Sequence, residues 1–262
     1  MTHPMAAFSS SRVLITGASS GIGAATAEAF CREGAKEVIV TGRREEQLRS
    51  LAEGWSDRYD CDVAAVIHDV RDRAATEALA KDNPGLFDVD ILVNNAGLAR
   101  GTDPMQSADP TDWEEMLDTN VLGLLYMTRN VVPAMLAKGS GHIVNLGSVA
   151  GRWVYPGGGV YAATKHAVRA LSEGLRMDLQ GSGIRVTNIE PGLVETEFSI
   201  VRYRGDEARA KKVYADTRPL RAADVADTIL WCCDRPPHVN VQELVLYPTD
   251  QAHVGMVHRR PN

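Results

Sequence analysis

The chain has 262 residues, of which 44% are hydrophobic and 24% charged, and its net charge is −6. This length can bury one large core and stays within the range of a single α/β domain. The acidic balance argues against nucleic acid as a partner, because phosphate contacts need a basic surface.

Strand-like and helix-like segments alternate along the chain. Residues 12–16 (RVLIT) read as a strand and 22–33 as an Ala-rich helix. A strand over 37–41 (EVIVT) precedes a polar helix over 44–53, and a strand over 63–68 precedes a helix over 73–81. A strand over 90–94 (DILVN) leads to a long helix over 111–137 with Pro133 near its end. A strand over 142–146 (HIVNL), a helix over 160–180 and a strand over 184–189 (IRVTNI) follow. The segment 192–219 lacks regular pattern; a helix over 222–233 and a strand over 243–247 close the series. Apolar runs of four to six residues suit strands buried on both faces. The alternation predicts a single-domain, Rossmann-type, doubly wound, seven-stranded parallel sheet with helices on both faces. One domain covers 1–262, with 192–219 as a substrate lid and 248–262 as a C-terminal tail.

Thr16-Gly17-Ala18-Ser19-Ser20-Gly21-Ile22-Gly23 falls between the first strand and the first helix. Gly17 permits a tight turn, Gly21 lets backbone approach a pyrophosphate, and Gly23 lets the helix pack close to the sheet. The helix N-terminus offers free N–H groups to that phosphate. A glycine pattern alone is weak evidence; the strand before it and the helix after it make it a nucleotide site. The second strand ends Thr41-Gly42-Arg43-Arg44, with no acid before Glu45. An acid there would hold a ribose 2′-hydroxyl, whereas two guanidinium groups suit a 2′-phosphate, so NADP is expected over NAD. Asp69 and Val70, after the third strand, are candidates for the adenine edge.

Tyr161 and Lys165 share a helix face at i and i+4. A nearby ammonium stabilises tyrosinate and lowers a phenol's pKa, which makes Tyr161 a general acid for carbonyl reduction and a general base for alcohol oxidation. By itself the YxxxK spacing is common. Ser148 after the fifth strand, Asn94-Asn95-Ala96-Gly97 after the fourth and Asn120 inside the long helix place polar groups in the same crevice. Asn is a poor helix former, and Asn120 is a candidate holder of a water that links Lys165 to solvent.

With these residues the chain resembles the short-chain dehydrogenase/reductase family over nearly its whole length: TGASSGIG (Thr16 to Gly23), NNAG (Asn94 to Gly97), Asn120, Ser148, Tyr161 with Lys165, and Pro191-Gly192. The resemblance implies a catalytic tetrad of Asn120, Ser148, Tyr161 and Lys165, with Lys165 also on the nicotinamide ribose. It implies that Asn95 and Gly97 border the cofactor together with Ser19, Ser20 and Ile22. It also implies that Pro191, Gly192, Val194 and Thr196 cap the nicotinamide, and that the protein is a homotetramer. GRR after the second strand, DTNVLGLLYMTR and IEPGLVETEFS are similar to the bacterial NADP-dependent 3-hydroxy acid dehydrogenases. That subgroup acts on serine, allo-threonine and 3-hydroxypropionate-type substrates, and similar sequences reduce sulfoacetaldehyde and other small aldehydes.

The expected partner is therefore a small-molecule substrate held by Ser148 and Tyr161. A 3-hydroxy acid needs a cation for its carboxylate, and Arg202 is the first candidate, ahead of Arg152 and Arg259. Rival readings are a 3-oxoacyl carrier-protein or general carbonyl reductase and a non-catalytic NADP(H)-sensing protein. No apolar run is long enough for a bilayer, and residues 1–12 hold no signal-peptide-like segment. Cys31, Cys61, Cys232 and Cys233 fit no zinc or CxxC spacing, so the expectation is no metal, free thiols and a cytoplasmic location.

Overall fold

A computed structural model describes residues 8–260. The signal-peptide reading rests in part on residues 1–7, and the tail ends with residues 261–262; both stretches lie outside the described residues. The first half runs β1 (Arg12–Thr16), α1 (Gly21–Arg32), β2 (Glu37–Gly42), α2 (Glu45–Arg58), β3 (Asp62–Ile67), α3 (Arg73–Asp82), α4 (Pro84–Phe87) and β4 (Ile91–Asn94). It continues with α5 (Pro110–Leu117), a π turn (Asp118–Leu122), α6 (Gly123–Lys138), β5 (Gly141–Leu146), α7 (Gly159–Asp178) and β6 (Ile184–Pro191). The last part holds β7 (Val194–Glu195), α8 (Phe198–Arg202), α9 (Glu207–Tyr214), β8 (Leu220–Arg221), α10 (Ala222–Cys233), β9 (Glu243–Leu246), β10 (Gln251–His253) and β11 (Met256–Val257).

Seven strands form one parallel sheet in the order β3-β2-β1-β4-β5-β6-β9. The order reverses between β1 and β4, which opens a crevice at the carboxyl ends of the strands. Successive strand residues feed opposite faces. Val13 and Ile15 join a core with Phe30 of α1, Trp55 of α2 and Ile229 of α10, whereas Leu14 joins Met127, Val131 and Met135 of α6. The expected doubly wound sheet is therefore the observed one, and the apolar runs of the central strands β1 and β4 are buried because both of their faces are covered.

Four differences from the sequence reading concern the helices and the lid. α2 runs to Arg58 because Leu48, Ala52 and Trp55 extend its buried stripe. The short α4 begins on Pro84 and was not expected. The helix expected over 111–137 is broken by the π turn, where the Gly123 N–H reaches Asp118 O across an extra residue. The segment 192–219 contains β7, α8 and α9, and β7 pairs with β8. Among the described residues no helix is long and apolar enough to cross a membrane.

Candidate active site

The crevice encloses a cavity of about 500 Å³. The ends of β1, β2, β3, β4, β5 and β6 contribute Gly17, Arg43, Asp69, Asn95, Ser148 and Pro191 to its lining. Ser19, Ser20, Gly21, Ile22, Arg44, Val70, Gly97, Tyr161, Lys165, Gly192, Val194, Thr196 and Arg202 also line it. Of the expected site residues, Gly23 and Asn120 stand behind the lining rather than in it.

The glycine-rich turn is shaped by close approach. Gly17 has φ 67°, and a Cβ there would lie 2.8 Å from Ala96 Cα. A Cβ on Gly23 would lie 2.6 Å from Gly17 O. Asn95 fastens the turn to β4: its Nδ2 donates to Thr16 O at 2.8 Å and to Gly17 O at 3.1 Å. The Thr16 hydroxyl accepts from the N–H groups of Asn95 and Ala96. The turn is thus packed too closely for a side chain at Gly17 or Gly23, which leaves the backbone N–H groups at the start of α1 to face a diphosphate, and the cavity's size and donors fit a dinucleotide.

The two arginines after β2 diverge. Arg43 is half-exposed and comes within 3.9 Å of Asp69. Asp69 is itself gripped by Arg71, whose Nε lies 3.0 Å from both carboxylate oxygens. Arg44 donates from Nε to Ser19 Oγ (3.1 Å), from Nη2 to Ser20 Oγ (2.6 Å) and from Nη1 to Glu197 (2.8 Å).

Tyr161 sits in the first turn of α7 and is buried, with Phe198 at 5.7 Å between ring centroids. Ser148 caps a short 3-10 turn, its hydroxyl accepting from Ala150 N at 3.1 Å. That leaves its proton free to donate, and a hydrogen bond from Ser148 favours the ionised phenol. Burial is the larger effect and pushes the phenol above the ordinary tyrosine value; the neighbouring Tyr155 phenol adds to it, while Ser148 and Arg202 oppose it. The lowering expected from Lys165 is not among the influences on this phenol, whose direction is set by burial. Lys165 Nζ lies 5.9 Å from the Tyr161 ring centroid and donates to Leu146 O at 2.7 Å. Burial brings its own pKa down to about 8.

Asn120 lies in the π turn and is almost fully buried. Its Oδ1 accepts from Leu98 N (2.8 Å), and its Nδ2 donates to Leu98 O (2.8 Å) and Thr164 Oγ1 (3.0 Å). The side-chain amide is committed to protein partners, and a relay water would rest on other atoms of that turn.

The three candidate arginines separate by their partners. Arg152 binds Glu190 and Glu243 with its guanidinium, so it is not available to a substrate. Arg259 donates to the carbonyls of Ala215 and Val213 on the lid of its own chain. Arg202 donates from Nε to Gly101 O (2.9 Å) and lies 5.4 Å from the Tyr155 and 5.8 Å from the Tyr161 ring centroid. Its Nη2 is buried and has no partner; it and Thr119 Oγ1 are the buried unpartnered polar atoms on lining side chains among the described residues.

Several lining residues were not legible in sequence. Tyr155, Glu197, Phe198 and Tyr214 enter from loops and the lid, and Gln251 from the tail. Gln251 Oε1 accepts from Leu193 N at 2.8 Å and so braces the lid. Glu197 and Phe198 adjoin the expected cap residue Thr196 and fall within the segment IEPGLVETEFS, and these were the signals for them.

A doubly wound sheet with a glycine-rich first turn and a Ser, Tyr and Lys cluster at its carboxyl edge defines the short-chain dehydrogenases. The chain belongs to that family: the profile of the short chain dehydrogenases matches residues 11–206. It is 47% identical over 251 residues to the NADP-dependent 3-hydroxy acid dehydrogenase YdfG of Escherichia coli strain K12, covering 95% of this chain and 99% of that one. It is 49% identical over 242 residues to sulfoacetaldehyde reductase 2 of Chromohalobacter salexigens, covering 92% and 95% respectively. Its fold is similar to the closed form of a serine dehydrogenase complexed with NADP+, with TM-score 0.88, 46% identity, and coverage of 95% of this chain and 100% of that one.

Proposed function

We propose that the protein is an NADP(H)-dependent oxidoreductase that interconverts a small 3-hydroxy acid of the serine, allo-threonine or 3-hydroxypropionate type and its carbonyl form. The reading is supported by the relatives and by the cavity's fit to a dinucleotide. Gly17, Ser19, Ser20, Gly21, Ile22 and Gly23 form the diphosphate cradle; Arg43 and Arg44 take the 2′-phosphate. Asp69 and Val70 border the adenine, Asn95, Gly97, Tyr161 and Lys165 the nicotinamide ribose, and Pro191, Gly192, Val194 and Thr196 the nicotinamide. When bound, the cofactor supplies hydride exchange with the carbinol carbon.

The chain's own residues handle the proton and the anion. Tyr161 gives its proton to the carbonyl oxygen in reduction and takes the hydroxyl proton in oxidation. Ser148, its acceptor side already engaged, donates to the same oxygen. Lys165 favours the ionised phenol by its charge. Asn120 is a positioning residue: through Leu98 and Thr164 it fixes the loop after β4 against α7.

The buried, unpartnered Nη2 of Arg202 beside Tyr161 carries the substrate class. A buried donor without a partner is costly, and an acidic substrate group would satisfy it. A sulfonate has the same chemistry, so a sulfoacetaldehyde-type substrate is the second reading; a neutral 3-oxoacyl thioester does not suit this donor. The test is steady-state kinetics of Arg202→Ala with serine, 3-hydroxypropionate and a hydroxysulfonate. The Michaelis constant for the true substrate rises about 10- to 100-fold, the value of a charged hydrogen bond. An unchanged constant for all three overturns the assignment.

The segment 192–219 serves as substrate lid, and the tail 248–262 braces it. Four buried free thiols suit a reducing cytoplasm. Exposed Leu117, Leu122, Leu125 and Leu136 along α5 to α6 suit burial between subunits of a homotetramer.

A further inference from the structure

Arg44 joins three parts of the chain at one point on the cavity rim. It follows β2; Ser19 and Ser20 belong to the glycine-rich turn; Glu197 lies in the lid, 153 positions further along. Thr196, next to Glu197, rests on that same turn: a Cβ added to Gly21 would lie 3.4 Å from Thr196 Cβ. All four residues bonded at this point line the cavity. Among the described residues, Arg44 with Glu197 is the one ion pair that joins the lid to the nucleotide side of the crevice. The lid's other ion pair outward, between Arg204 and Asp112, ties it to α5 on the substrate side.

The substrate side has further anchors besides that pair. Arg202 Nε donates to Gly101 O, Arg100 donates to Val201 O, and Gln251 accepts from Leu193 N. These hold the substrate end of the lid to the body and the tail by backbone contacts. On the nucleotide side the lid is held through a side-chain pair, and both partners are about half-exposed, at 47% and 45%. An exposed pair of this kind is weak enough to open and close on the timescale of lid motion.

We propose that Glu197 is the lid's half of a cofactor clasp: it closes the lid onto Arg44 over the nucleotide, and parting this pair admits and releases NADP(H). The proposal rests on reading the cavity as the NADP(H) site. Arg44 thereby has two tasks, since the guanidinium assigned to the 2′-phosphate also holds the lid. Arg44 draws the Glu197 carboxyl below the usual carboxylate range, so the pair is intact at neutral pH and is lost only as pH falls through that lowered value. The rival chemistry is competition, in which the Glu197 carboxylate occupies Arg44 at the expense of the 2′-phosphate.

The two differ in sign for cofactor release. Wild type, Glu197→Gln and Glu197→Ala are loaded with NADPH and chased with excess NADP+ in a stopped-flow fluorimeter, following nucleotide fluorescence. The clasp requires release to speed up about three- to fivefold in both variants, the worth of one half-exposed ion pair. The ratio to wild type shrinks toward one as ionic strength rises, because salt screens the pair. Amide hydrogen exchange over α8 rises in the cofactor-free variants. Unchanged or slower release in Glu197→Gln overturns the proposal, and slower release identifies competition. Failure of wild type to bind NADPH would instead overturn the reading of the site.

Discussion

Tyr161 lies buried against Phe198 and under the guanidinium of Arg202, and Ser148 nearby favours its ionised form. Burial, the largest influence, keeps the proton on the phenol above the usual tyrosine range. In the absence of an oxidised nicotinamide the residue is thus poised as an acid. The rate constant for carbonyl reduction should therefore not fall as pH rises from 7 to 9, since the acid form persists throughout. Oxidation needs the ionised phenol and should rise over the same interval. Lys165, brought down to about 8 by burial, loses its charge within it, so the rise should flatten above that value. Tyr161→Phe should lower turnover about 10²- to 10⁴-fold, the usual worth of a positioned acid or base, while NADPH fluorescence titration gives near wild-type affinity. A variant that keeps a tenth of the activity would remove Tyr161 from its role. The cluster of Tyr161 with Lys165 was legible because Ser148, Asn120 and the glycine-rich turn accompany an otherwise common spacing; the ionisation of Tyr161 was not, because burial depends on Phe198 and Arg202, which arrive from the lid.

Between α5 and α6 the chain makes a π turn that no periodic pattern announced. Apolar residues continue from Trp113 through Leu124 to Val131 without a break, so the segment reads as one helix. Asn120, an unfavourable residue mid-helix, was the one local sign of trouble. Its three hydrogen bonds explain it: the wider turn presents the amide to both backbone groups of Leu98 and to Thr164 on α7. α9 escaped notice for the opposite reason. Its sequence EARAKKVY buries only Ala210 fully, so it lacks an apolar stripe. Asn120→Ala would leave the buried Leu98 N–H and C=O without partners, at a cost of about 2–3 kcal/mol. Thermal unfolding should show the midpoint lowered by about 5–10 °C for a chain of this size. Activity in folded Asn120→Ala should also drop, because the loop holding Gly97 near Lys165 loosens. An unchanged midpoint would mean that Leu98 finds other partners and that the π turn is not held by this side chain.

Across the whole molecule, the doubly wound parallel sheet and its crevice followed from strand and helix alternation, whereas the partners of the arginines did not. Arg152, Arg202 and Arg259 look alike in sequence, and only their partners separate them. Arg152 spans the far side of the sheet, binding fully buried Glu190 at the end of β6 and Glu243 on β9, which Arg169 of α7 also holds at 2.9 Å. Asn188 adds a hydrogen bond to Glu190 at 2.8 Å. Burial nevertheless raises the Glu190 carboxyl above its ordinary value, with Arg152 pulling against that rise. The folded chain therefore binds this proton more tightly than the unfolded chain, and the group's contribution to stability falls as pH climbs through its raised value. Arg152→Ala removes the opposing cation and leaves a buried carboxylate, a loss of about 3–5 kcal/mol at neutral pH. Melting curves should show a larger deficit against wild type at pH 8 than at pH 5, where protonation of Glu190 relieves the unpaired charge. The Michaelis constant for an acidic substrate should stay near wild type in Arg152→Ala protein that remains folded, in contrast to Arg202→Ala. A deficit independent of pH would mean that Glu190 is already neutral in the wild type, and a raised Michaelis constant would return Arg152 to the substrate site.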